Sequence, residues 1–117
     1  MILTRGDTQI ITFDIVDDNG NIYLLKPLDK IYFTVKVSAK DKDFVFQKTY
    51  GNGISYNEDL KCYEILIKPE DSSDLQRNSF VFDIEIIVAS YPENIVQTLK
   101  YGTIGFSDEI TRRENES

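Results

Sequence analysis

Residues 80–89 place Phe80, Phe82, Ile84, Ile86 and Val88 at every second position, with Asp83 and Glu85 between them. A two-residue period is that of a pleated strand, whose side chains point alternately to opposite faces. One face is therefore built for a core and the other for water. A half-buried strand of this kind belongs to an antiparallel sheet in a sandwich or barrel.

The rest of the chain repeats the pattern. Residues 8–16 read as the first full strand, with Ile11, Phe13 and Ile15 on one face and Thr12 and Asp14 on the other. Asn19-Gly20 is the strongest hairpin signal, because both residue types tolerate the positive φ of a type I′ turn, and it folds residues 22–25 back on that strand. Pro27 interrupts pairing, and residues 31–38 resume it with Ile31, Phe33, Val35 and Val37 inward. A polar turn at 40–43 leads to residues 44–50, with Phe44 and Phe46 on one face, closed by Gly51-Asn52-Gly53. Residues 54–56 and 62–68 form a hairpin with Tyr63, Ile65 and Ile67 buried. Pro69 and the acids after it favour one or two helical turns over 69–75, since proline suits a first helical position and acids complement the helix dipole. Strands at 95–101 and 103–106 follow the strand at 80–89. About seven to nine short strands with no long helical pattern predict an all-β sandwich, antiparallel because nothing supplies parallel crossovers.

At 117 residues the chain is one domain, spanning 1–107, with a charged, fraying tail over 108–117. Hydrophobic residues make up 41% of it, enough to exclude wholesale disorder. The net charge is −7 and the basic residues are scattered, which argues against nucleic acid and against anionic membranes. No apolar run reaches the roughly 20 residues needed to span a bilayer, and the N-terminus lacks the basic-then-apolar order of a secretory signal. Cys62 is the only cysteine, so an internal disulfide is excluded and a reducing cytoplasm is the expected place of synthesis.

Histidine is absent, which removes the Ser-His-Asp and Cys-His arrangements and the commonest metal ligand. Asp83 and Glu85, about 7 Å apart on one strand face, meet the loose spacing of a glycosidase pair, but a solvated strand face explains them as well. Asp17-Asp18-Asn19-Gly20-Asn21 fails as a calcium loop, because Ile15 falls where the first carboxylate is needed. Glu70, Asp71 and Asp74 read as caps and solubilising charge. Arg5-Gly6-Asp7 matches a tripeptide recognised by integrins, yet a bend at Gly6 closed by the side chain of Asp7 or Thr8 is the simpler reading. No catalytic residue, cofactor or metal is expected.

These landmarks together resemble a known family, the small immunoglobulin-like β-sandwich domain at the N-terminus of phage baseplate upper proteins and related tail proteins of Gram-positive phages and prophages. The shared pattern runs from Arg5-Gly6-Asp7-Thr8 through Asp17 to Gly20, Ile31-Tyr32-Phe33-Thr34-Val35-Lys36 and Gly53-Ile54. It continues with Ile65-Leu66-Ile67-Lys68-Pro69-Glu70-Asp71-Ser72, Phe80-Val81-Phe82-Asp83-Ile84-Glu85, Thr98-Leu99 and Gly102-Thr103-Ile104. The resemblance implies a virion component that attaches to a neighbouring tail protein and presents a fibre or receptor-binding piece. The family usually carries a glycine just before the aromatic of the strand at 80–89; here Asn78 stands close by to supply the left-handed conformation. The sequence ends at Ser117 without a fibre, so a stand-alone tail, baseplate, neck or head-attached accessory subunit is expected.

The expected function is thus structural and non-enzymatic: a subunit of a bacteriophage particle, made in the host cytoplasm and located in the virion. It would be repeated as a homo-oligomer or in a symmetric assembly and would contact other phage structural proteins. Met1, Ile2, Leu3 and Thr4 are the segment expected to add to a neighbour's sheet, and Tyr91 and Tyr101 are the expected aromatic contacts. The alternative is a carbohydrate- or receptor-binding module in which Tyr32, Tyr50, Tyr56, Tyr91 and Tyr101 stack on sugar rings.

Overall fold

The computed structural model describes residues 1–108. Its strands are β1 Ile2–Thr4, β2 Gln9–Phe13, β3 Lys30–Lys36, β4 Phe46–Tyr50, β5 Gly53–Asn57, β6 Cys62–Ile67, β7 Ser79–Val88 and β8 Ile95–Ser107. One short helix, α1 Pro69–Ser72, lies between β6 and β7. The fold is all-β, as the alternation predicts.

The eight strands form one ladder in the order β1-β8-β7-β3-β4-β5-β6-β2. It bends between β4 and β5, which touch over only Thr49 to Gly53 and Tyr50 to Ile54. Gly51 and Gly53 take φ of 91° and 100° at this corner, conformations that side-chain-bearing residues avoid. The result is a sandwich-like near-barrel with β1-β8-β7-β3-β4 on one side and β5-β6-β2 on the other. Most pairs are antiparallel, but β4 runs parallel to β5 and β1 parallel to β8, where Ile2 sits opposite Gly105 and Thr4 opposite Ser107. The parallel β1 pair needs no crossover helix of its own, because the rest of the domain is the crossover.

The core is a single cluster. Ile31, Phe33 and Val35 from β3, Tyr63, Ile65 and Ile67 from β6, Phe80, Phe82, Ile84 and Ile86 from β7, and Ile104 and Phe106 from β8 are all buried within it. Burial of each such side chain contributes on the order of 1.5–3 kcal/mol, which is why the two-residue period decides the fold. Phe33 packs between Phe46 and Phe82, with ring centroids 6.2 and 5.9 Å away.

Several local expectations are corrected. β2 ends at Phe13, and beyond it only Val16 and Ile22 form an isolated bridge. The turn at Asp17 is not type I′: Gly20 has φ of 81°, whereas Asn19 is not in the positive-φ region. The Asp17 side chain organises it instead by accepting hydrogen bonds from the Asn19 and Asn21 amides at 2.9 and 3.0 Å. Val37 is exposed, since β3 stops where the Asp41 amide bonds the Ser38 carbonyl and starts a turn. Phe44 is also exposed, because β4 begins two residues later.

The two expected strands at 95–101 and 103–106 are one 13-residue strand, β8. It stays continuous by absorbing a β-bulge: Ile84 faces Lys100 and Glu85 faces Thr98, leaving Leu99 unpaired. The helix spans Pro69–Ser72 and stops short of Leu75. Asn78 does not adopt a left-handed conformation; its side-chain oxygen accepts from Arg5 and its carbonyl from the Phe106 amide. Asp108, the first residue of the expected tail, is bonded by Arg5, and residues 109–117 lie outside the described residues.

Candidate interaction face

Directly opposite residues in a ladder share a face, so register alone defines the outer surface of the larger layer. One row across it reads Tyr101, Asp83, Thr34 and Gln47, and the next reads Thr98, Glu85, Tyr32 and Thr49. Thr103, Val81 and Lys36 flank the first row, and Val96, Ile87 and Lys30 flank the second. The bulge at Leu99 sets this arrangement. Without it Val96 and Thr98 would point the opposite way from Tyr101 and Thr103.

Two shallow hollows lie on this face. One, of about 370 Å³, is walled by Tyr101, Val81 and Ala39, and the other, of about 420 Å³, by Tyr32, Phe44 and Glu85. They share Thr34, Lys36 and Asp83, so they form one trough across four strands. Tyr101 is 80% exposed and Phe44 52%. The Gln47 amide donates to the Thr34 hydroxyl at 2.9 Å, and the Lys36 ammonium donates to the Asp41 carbonyl at 2.8 Å. Asp83 and Glu85 have no hydrogen-bond or ion-pair partner among the described residues. They lie on the water-facing side of β7, in open hollows, and no metal-binding cluster occurs among the described residues.

Other exposed apolar side chains lie at the end of the β7–β8 hairpin, while Ile2, Leu28 and Leu60 are exposed elsewhere. Tyr91 is 95% exposed, and Ile95 and Val96 follow it at 55% and 59%. Of the tyrosines named above, Tyr50 and Tyr56 stack edge-on against Tyr63, with centroids at 6.3 and 4.9 Å, and Tyr32 is half-buried. Tyr91 and Tyr101 are therefore the two rings that stand free.

Met1 to Thr4 are placed inside the chain's own ladder, as β1 on the edge of β8. Leu3 packs against the core, and Ile2 remains 78% exposed. On the outward side of this edge the Thr4 amide donates to Gln9 Oε1 and the Thr4 carbonyl accepts from the Asp7 amide. The bend at Gly6 is held by Gln9 on the Thr4 amide and by the Ser72 hydroxyl, which accepts from the Gly6 amide at 2.9 Å. Arg5 is not displayed as a free tripeptide side chain. Its guanidinium bonds Asp108, the Arg77 carbonyl and Asn78 Oδ1, the last two at 2.8 Å.

Two polar devices have no periodic signal in the sequence. Asp29 is buried, and its carboxylate accepts from the Tyr23 hydroxyl at 2.6 Å, the Lys26 amide at 3.0 Å and the Ala89 amide at 2.9 Å. Burial pushes its pKa upward, but these three donors outweigh burial and hold the carboxyl below its ordinary value. The same contact, followed by burial, pushes Tyr23 up to about 12. Tyr63 completes the set by donating to the Tyr23 carbonyl and accepting from the Leu25 amide. The second device is Lys48, which lies opposite Phe33 and so turns inward; its ammonium meets Asp71 of α1 at 2.7 Å. Cys62 is half-buried, and burial followed by the charges of Glu64 and Asp14 raises its thiol, which disfavours the reactive thiolate.

Among known proteins, the chain matches no family model and no curated protein.

Proposed function

We propose that this chain is a non-enzymatic structural subunit of a bacteriophage particle, acting in a tail, baseplate, neck or head-attached accessory position through protein–protein contacts. The observation that supports assembly is the pair of freely standing rings, Tyr91 and Tyr101, on the same β7–β8 hairpin as exposed Ile95 and Val96. Large apolar groups gathered on one element favour contact with another protein over permanent hydration. The phage context rests on the sequence pattern from Arg5 to Ile104. The test is quantitative mass spectrometry of phage particles purified from a culture that makes this chain. A copy number matching a symmetry of the particle is expected; absence from the particles removes the proposal.

The second reading is a carbohydrate- or receptor-binding module. Tyr101 beside Asp83 in a hollow of about 370 Å³ favours it, since a ring platform with an adjacent carboxylate is a sugar-binding chemistry. A glycan array is expected to show binding that Tyr101→Ala abolishes, and an array without hits ends this reading.

A further inference from the structure

We propose that the outer face of β3, β4, β7 and β8 is the contact surface for a second copy of this chain, the two copies packing face to face about a two-fold axis. This deepens the assembly reading above and rests on it. The occupant is argued from charge. Residues 7–18 hold Asp7, Asp14, Asp17 and Asp18 and no basic residue. Residues 58–74 hold Glu58, Asp59, Glu64, Glu70, Asp71 and Asp74 against Lys61 and Lys68. These two stretches already account for the net charge of −7, and they belong to β2, β6, α1 and the loops beside them.

The proposed face is different. It carries Asp83 and Glu85 together with Lys30, Lys36 and Lys42, so it is close to neutral and holds both signs. Two copies of an acidic chain repel in most orientations, and the repulsion is least when the acidic layers point away from each other. Face-to-face packing of the β3-β4-β7-β8 surfaces is that orientation. It also offers the unpaired carboxylates of one copy to the lysines of the other, as a self-complementary two-fold contact requires. Tyr101, on the flanking strand β8, supplies the apolar area together with Val96 and Phe44, and tyrosine is among the residue types that dominate such contacts.

Four strands about 4.8 Å apart and about seven residues long cover a footprint of roughly 400 Å². This is about half of a standard interface per partner, the size of a weak, transient contact, so a dissociation constant in the micromolar range is expected, its value set by packing quality and not by area.

The experiment is sedimentation velocity of the full chain from about 1 to about 300 μM, a range that brackets such a constant. A monomer–dimer equilibrium is expected. Tyr101→Asp is expected to weaken the dimer at least about tenfold, whereas Ile10→Asp, on the opposite face, leaves it unchanged. Both sites are exposed, and circular dichroism checks that each variant folds. A monomer at every concentration overturns the proposal, as does a dimer indifferent to Tyr101→Asp. If that indifferent dimer is lost on removing residues 1–4, association runs through the β1 edge, and the assembly reading survives while this one fails. If dimers form only after residues 109–117 are removed, the chain's own C-terminal segment covers the face and the proposal also falls. A monomer found in phage particles likewise keeps the proposed function and rejects this surface.

Discussion

Asp29 shows how one side chain decides the course of a loop. Residues 22–29 run without regular pairing, and the Asp29 carboxylate fixes them by holding Tyr23 and Lys26 on one oxygen and Ala89, beyond the end of β7, on the other. In the unfolded chain this carboxyl titrates near 3.8, and in the folded chain lower. Its contribution to stability is therefore fully present above about pH 4 and is lost as pH falls through the lower, folded value. Asp29→Asn is expected to cost about 2 kcal/mol at pH 7, since buried donors lose a charged acceptor. The gap between the two proteins should narrow below about pH 4, as measured by urea unfolding across pH. A constant gap from pH 7 to 3 would mean that the carboxylate's charge contributes nothing. Nothing in the sequence singles out Asp29 among 20 acidic residues, because the partner that ties its loop to the end of β7 lies sixty positions away.

At the scale of the element, glycines and bulges place strands whose pairing the alternation already favours. Gly53 marks the corner between β4 and β5, and a Cβ there would fall 2.7 Å from Lys48 Cδ as well as forcing a side chain into a φ of 100°. Gly51 shares the positive φ but has open space around it. Gly53→Ala is expected to cost about 2 to 3 kcal/mol and Gly51→Ala about 1 kcal/mol in chemical denaturation. Equal costs would refute the crowding by Lys48. The sequence marks this corner as a strand end but not as a joint between layers, since Lys48 reads as one more polar residue until register sets it opposite Phe33. β8 carries the same lesson. By sequence, residues 95–107 divide at Gly102, whereas Gly102 pairs with Phe82 in one continuous strand whose irregularity is the bulge at Leu99.

For the whole molecule, the core is one cluster drawn from both sides of the bend, so unfolding should be a single transition. Phe33→Ala is expected to lower stability by about 3 to 5 kcal/mol, with tyrosine emission and circular dichroism changing together. Two separated transitions would show that the layers fold independently. The sequence by itself determined the all-β class, the inward sets of β3, β6 and β7, and the short helix after β6, because burial at a two-residue period is a local property that each strand displays alone. Only the tertiary structure decided that β1 pairs parallel with the far end of the chain, that Asp29 and Lys48 turn inward, and that one bulge brings Val96, Thr98, Tyr101 and Thr103 to the same face. Those features depend on register and on partners distant in sequence, and the energy that selects them appears only once the two layers have closed on each other.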